Sequence, residues 1–298
     1  MNYPTRYDLN LSGNMGDCGS SEKQNKLRSK MSETKVSQDR RVVREFLGLD
    51  DCTKTNMILL ATEFFGTLAI AFTFILTMAQ QYIDPQEALN RSDSPSAGAS
   101  MEQIAFGLGL VFAGVSQVLG RRSTCHFNPA VTMSALVVGS ISLLMCCLFI
   151  IMQCLGSVVG VVAALAILPT KLKRTHLGVP KHPHVSTAGT IIIEALLTFI
   201  WVFLAESVKS QKKVGLRDTA PLAVGGTIIV AYFAAYRLTG GCLNPARVFG
   251  SALIYLDWED HWIYWLAPMI GGILGALTYK WIFAVRTPVE PEDDEPDL

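Results

Sequence analysis

The chain has 298 residues, 25 basic and 25 acidic side chains, and a net charge of zero. Half of it is hydrophobic, 17% is charged and the mean hydropathy is +0.34, which points to a membrane class and gives no electrostatic footprint for a nucleic-acid partner. The seven cysteines are odd in number and form no CxxC pair, so neither a disulfide framework nor a zinc site is expected.

Residues 1–55 are polar and basic, with no apolar core near the start. They read as a largely disordered tail with a short amphipathic stretch at 42–49 and no cleavable signal peptide, leaving the first span to target the chain. Apolar runs at 57–79, 103–119, 140–168, 187–205, 220–236 and 262–284 predict six transmembrane helices. A helix rises about 1.5 Å per residue against a hydrocarbon core of about 30 Å, so the runs 128–137 and 244–254 reach only halfway. Half-spanning helices survive only where protein or a water-filled cavity satisfies their backbone ends. The predicted organisation is therefore a channel-like domain over 56–285, with halves 56–168 and 187–285, and an acidic tail at 286–298.

Six spans put both termini on one face. Lys35, Arg40, Arg41 and Arg44 before the first span, Arg121 and Arg122 after the second, and Lys209, Lys212, Lys213 and Arg217 after the fourth make that face cytoplasmic by the positive-inside rule. Lys171, Lys173, Arg174 and Lys181 fall outside and break the rule locally. The plasma membrane is the expected location. Asn90-Arg91-Ser92, on the predicted outer side, makes Asn90 a glycosylation candidate.

An internal repeat carries the functional signal. His126-Phe127-Asn128-Pro129-Ala130-Val131 in the first half answers Cys242-Leu243-Asn244-Pro245-Ala246-Arg247 in the second, 116 positions later. Each half also opens with an acid buried in a span, Glu63 before Thr67 and Glu194 before Thr198. Three spans per half is odd, so the second half enters the membrane inverted and the short helices approach from opposite faces. Asn is a favoured N-cap and Pro a favoured first helical residue, so each Asn-Pro-Ala starts a helix with free amides. Two helix N-termini, each with roughly half a positive charge, would meet near the midplane and repel cations. Water there could accept hydrogen bonds from both Asn128 and Asn244, interrupting a chain along which protons would move.

These residues resemble the aquaporin, or major intrinsic protein, family over about 57–284. The resemblance rests on the acidic first and fourth spans, Gln153 and Gly156, both Asn-Pro-Ala motifs, Arg247-Val248-Phe249-Gly250-Ser251-Ala252, and His261-Trp262-Ile263-Tyr264-Trp265 followed by Pro268 and Gly271-Gly272. It implies an all-α membrane fold of six helices and two re-entrant half-helices, a homotetramer with one pore per subunit, and lipid, water and small neutral solutes as its partners. It also implies that Glu63 and Glu194 support the re-entrant loops and that His126 lines the cytoplasmic half of the pore. Counted from the motifs, the family's selectivity constriction falls on Leu108 (or Phe106, if the next loop is two residues longer), Tyr232, Gly241 and Arg247. Cys242 would border the pore mouth as a target for mercurials.

Val248, Ala252, Tyr264 and Trp265 are similar to the water-selective branch. Tyr232, where a His is usual, is similar to an insect branch associated with glycerol and urea, so small uncharged solutes, including hydrogen peroxide, are the alternative cargo. An enzyme is not expected, since no nucleophile triad, phosphate loop or HExxH occurs; nor is a cofactor or a metal, His182 and His184 being the one His pair with possible metal spacing. A coupled transporter would need titratable groups that Glu63 and Glu194 do not spare. A non-conducting adhesion or organising protein on the same fold is opposed by the intact Asn128, Asn244 and Arg247.

Overall fold

The computed structural model describes residues 41–48, 54–82, 101–120, 123–182, 184–210 and 218–284. Asn90, the acidic tail 286–298, most of 1–55 and the basic residues Arg121, Arg122, Lys212, Lys213 and Arg217 lie outside the described residues. The chain divides into two units, Met1–Glu45 and Phe46–Leu298. In the first, residues 41–45 are helical, with Arg41 Nε 2.9 Å from Glu45 Oε1.

Helices are the regular secondary structure of the second unit among its described residues. Its principal helices are α1 (Lys54–Ala79), α2 (Met101–Leu119), α3 (Pro129–Val137), α4 (Leu143–Ile167), α5 (Thr187–Lys209), α6 (Ala220–Ala235), α7 (Pro245–Tyr255) and α8 (Ile263–Thr278), the last continued by a π-helical turn, Tyr279–Phe283. Five of them, α1, α2, α4, α5 and α8 with its π turn, are long and apolar enough to cross a bilayer. The remaining predicted span, α6, has 16 residues, about 24 Å of rise. The half-helices α3 and α7 have nine and eleven residues. Starts follow the sequence chemistry: Ser142 and Ser186 accept hydrogen bonds from Met145 and Gly189 backbone N–H groups, both at 3.2 Å.

Packing reproduces the repeat. Helix α1 lies against α4 as α5 lies against α8, and α1 touches α2 as α5 touches α6. The half-helices are exchanged, α3 seating on α8 and α7 on α4, while α2 and α6 meet at the centre. Swapping the halves leaves this set of contacts unchanged, as a two-fold inverted repeat requires. Close approach depends on missing side chains: a Cβ on Gly156 would strike the Phe64 carbonyl, and one on Gly271 the Ala195 carbonyl. Phe64 and Ala195 each directly follow a buried glutamate, so the two interfaces are the same interface built twice.

Candidate functional site

The two Asn-Pro-Ala turns are joined to each other. Asn128 Nδ2 donates to the Leu243 carbonyl at 2.9 Å, and Asn244 Nδ2 donates to the Phe127 carbonyl at 2.8 Å. Each Asn also caps its own half-helix: Asn128 Oδ1 accepts from Ala130 N at 2.8 Å, and Asn244 Oδ1 from Ala246 N at 3.0 Å and Arg247 N at 3.3 Å. Pro129 and Pro245 occupy the first helical positions, where a missing N–H costs nothing.

The residue before each Asn holds a left-handed backbone, Phe127 at φ 50° and Leu243 at φ 51°, which turns successive N–H groups toward one point. A carboxylate waits there in each half. Glu63 Oε1 accepts from His126 N at 2.9 Å and Oε2 from Phe127 N at 2.7 Å. Glu194 Oε1 accepts from Cys242 N and Oε2 from Leu243 N, both at 2.9 Å. Each acid takes one more donor, Gln153 Nε2 at 2.8 Å on Glu63 and Thr239 Oγ1 at 2.6 Å on Glu194. Both carboxylates are fully buried, and these donors replace the water they lost.

Two cavities flank the joined turns. Cys125, His126 and Val131, which bracket Asn128 in the chain, line one of about 730 Å³. Gly240 and Arg247, which bracket Asn244, line another of about 450 Å³. Among the described residues none lines both. In the second cavity the Arg247 guanidinium lies 4.4 Å from the Phe74 ring centroid, and its Nη1 donates to Tyr232 Oη at 2.8 Å. Its Nε and Nη2 are buried without a hydrogen-bond partner among the described residues.

The sequence model of the major intrinsic protein family (MIP) matches residues 53–279. The chain belongs to this family. Its relatives include Aquaporin FA-CHIP of Pelophylax lessonae, 34% identical over 76% of this chain and 82% of that protein. The lens fiber major intrinsic protein of Lithobates pipiens is 31% identical over 75% and 80%. Among solved structures, the aquaglyceroporin of Plasmodium falciparum superposes with a TM-score of 0.66 over 76% of this chain and 96% of that one. At 20% identity that likeness concerns the fold. Major intrinsic proteins are multi-pass membrane channels rather than enzymes, and this chain is one by family.

Within this major intrinsic protein the predicted residues separate. Asn128, Asn244, Glu63, Glu194 and their loops form one hydrogen-bonded knot, while Arg247 and Tyr232 meet on the smaller cavity. Of the two alternatives on α2, Leu108 is buried, whereas Phe106 is half exposed and stacks edge-on against Phe233. The cause is helical register. Ile104, Ala105, Leu108, Phe112 and Ser116 form the buried stripe, and position 106 falls outside it. Gly241 is buried with φ 54°, its N–H on Thr239 Oγ1, and lines neither cavity. Cys242 is likewise absent from both linings and packs with Val248, Ile263 and Tyr264. Sequence reasoning missed Phe74. It lies eleven positions after Glu63, about three helical turns and hence on the same face, a signal that was available.

Proposed function

We propose that this chain is a passive transmembrane channel for water that turns away ions and protons. One observation carries the reading: each Asn spends one amide N–H on the opposite turn, at 2.9 and 2.8 Å, which leaves its second N–H for a passing molecule. The half-helix dipoles oppose cations at that point. Arg247, with Nε and Nη2 unpaired, adds donors and a fixed positive charge on one approach, and His126 lies on the other. Glu63 and Glu194 hold the loops that present these groups.

The channel domain spans 56–285 between cytoplasmic tails at 1–55 and 286–298, in the plasma membrane, as a homotetramer surrounded by lipid. A second reading, passage of glycerol, urea or hydrogen peroxide, is favoured by the Phe74 and Tyr232 rings beside Arg247. Their centroids lie 4.4 and 5.6 Å from its guanidinium carbon, giving an apolar wall next to hydrogen-bond donors.

The test is stopped-flow light scattering on proteoliposomes of the full-length protein under water, glycerol and urea gradients, with ion conductance measured in parallel. Fast water flux without conductance is expected. Water permeability no greater than that of empty liposomes rejects the proposal.

A further inference from the structure

Trp201, on α5, lines the cavity that also holds His126 and Val131. It is a large polar-tipped side chain, 2% exposed, and its indole Nε1 has no hydrogen-bond partner among the described residues. Buried indole N–H groups ordinarily find an acceptor, because an unpaired donor away from water is costly. Its ring packs edge-on against Phe112 on α2, with centroids 5.6 Å apart, and Phe112 in turn meets Phe127, the residue before Asn128, at 5.8 Å. Aromatic side chains from two spans thus reach from the joined turns into one cavity. Nothing in the loop-support network accounts for them: Glu63, Glu194, Gln153 and Thr239 bond elsewhere.

Resting on the channel reading above, we propose that Trp201 and Phe112 form a second selectivity filter, on the His126 side of the joined turns, in which the Trp201 indole N–H donates to the molecule in transit. The ligand class is a small neutral molecule with an oxygen acceptor. The filter is independent of Arg247, which lines the other cavity, and it screens by width through Phe112 and by hydrogen bonding through Trp201. The signal in the sequence is spacing, because Trp201 follows Glu194 by seven residues, about two turns, and so shares the inward face.

The experiment compares full-length wild type, Trp201→Phe, Trp201→Tyr, Trp201→Leu and Phe112→Leu in proteoliposomes, reading the ratio of glycerol to water permeability and the activation energy for water. Trp201→Leu and Phe112→Leu should each raise the glycerol-to-water ratio severalfold. Trp201→Phe keeps an aromatic ring but removes the donor, so it should slow water while leaving the ratio low; Trp201→Tyr restores a donor and should recover part of the rate. A Trp with a packing role alone would change the amount of folded protein but not the ratio per folded channel. If Trp201→Leu and Phe112→Leu both keep the wild-type ratio, the filter is overturned, and Phe112→Leu decides the width argument if the Trp201 variants do not fold. A wild type that conducts nothing removes the channel reading itself, an outcome distinct from wild-type flux with unchanged variants.

Discussion

A carboxylate placed inside a span must find donors to replace its hydration, and Glu63 finds three: the backbone N–H groups of His126 and Phe127 and the Gln153 amide. Converting one of its oxygens to an NH₂ sets donor against donor. Glu63→Gln should therefore leave a loop N–H unpaired at a cost of about 1–3 kcal/mol. It should also loosen the turn that presents Asn128. The expected result is a lower thermal midpoint in detergent, together with reduced water flux per folded channel. An unchanged midpoint would mean that the acid does not hold the loop. Glu194→Gln should behave the same way, since Cys242, Leu243 and Thr239 donate to it in the corresponding arrangement. Arg247 differs in kind. Its Nη1 bond to Tyr232 fixes the guanidinium's direction, while Nε and Nη2 have no hydrogen-bond partner among the described residues.

Between helices the decisive residues are those without side chains. Gly156 on α4 meets the Phe64 carbonyl of α1, whereas Gly114 on α2 is exposed, with open space where a Cβ would be. Gly156→Ala should push α1 from α4 and lower the thermal midpoint measurably. Gly114→Ala should hold or raise the midpoint, since helix propensity alone contributes roughly 0.5–1 kcal/mol of stability. Equal midpoints for the two variants would rule out backbone contact as the reason for Gly156. Much at this scale was legible beforehand. Half-helices show in the sequence because Asn-Pro-Ala marks a start and the apolar run after it is too short to cross. What was not legible is which way a side chain on a span points. Phe65 and Phe74 are the same letter on the same helix, yet Phe65 is exposed and Phe74 buried beside Arg247. Phe106 and Leu108 differ by two positions, about 200° around the helix, so a two-residue change in the length of the next loop decides between them.

Across the whole molecule, the loop joining the halves is clasped to the loop between α7 and α8. His176 Nδ1 lies 2.9 Å from Asp257 Oδ2, Lys181 Nζ 2.9 Å from Glu259 Oε2, and His182 Nε2 2.9 Å from Asp260 Oδ2. Lys181 also reaches Asp257 at 3.3 Å. Lys181, one of the four basic residues that the expected orientation sets against the positive-inside rule, is thus matched by acids from the facing loop. His176 and Lys181 line the Arg247 cavity, so the clasp stands at its edge and ties the loop between the halves to the second half. His176 first, then Lys181, hold the Asp257 carboxyl below its ordinary value. The sign of the pH dependence follows. A depressed carboxylate contributes stability that is complete above its unfolded value, about 3.9, and is lost as pH falls through the lower folded value. Thermal midpoints of the full-length protein in detergent should therefore hold from pH 6 to about 4 as far as Asp257 is concerned, and decline below that. Asp257→Asn should lower the midpoint at pH 6 and flatten the decline. The loss at pH 6 should be modest, because His176 and Lys181 are about half exposed (52% and 50%) and salt screens them. A variant that matches wild type at pH 6 and falls as steeply below pH 4 would show that Asp257 contributes nothing to the clasp.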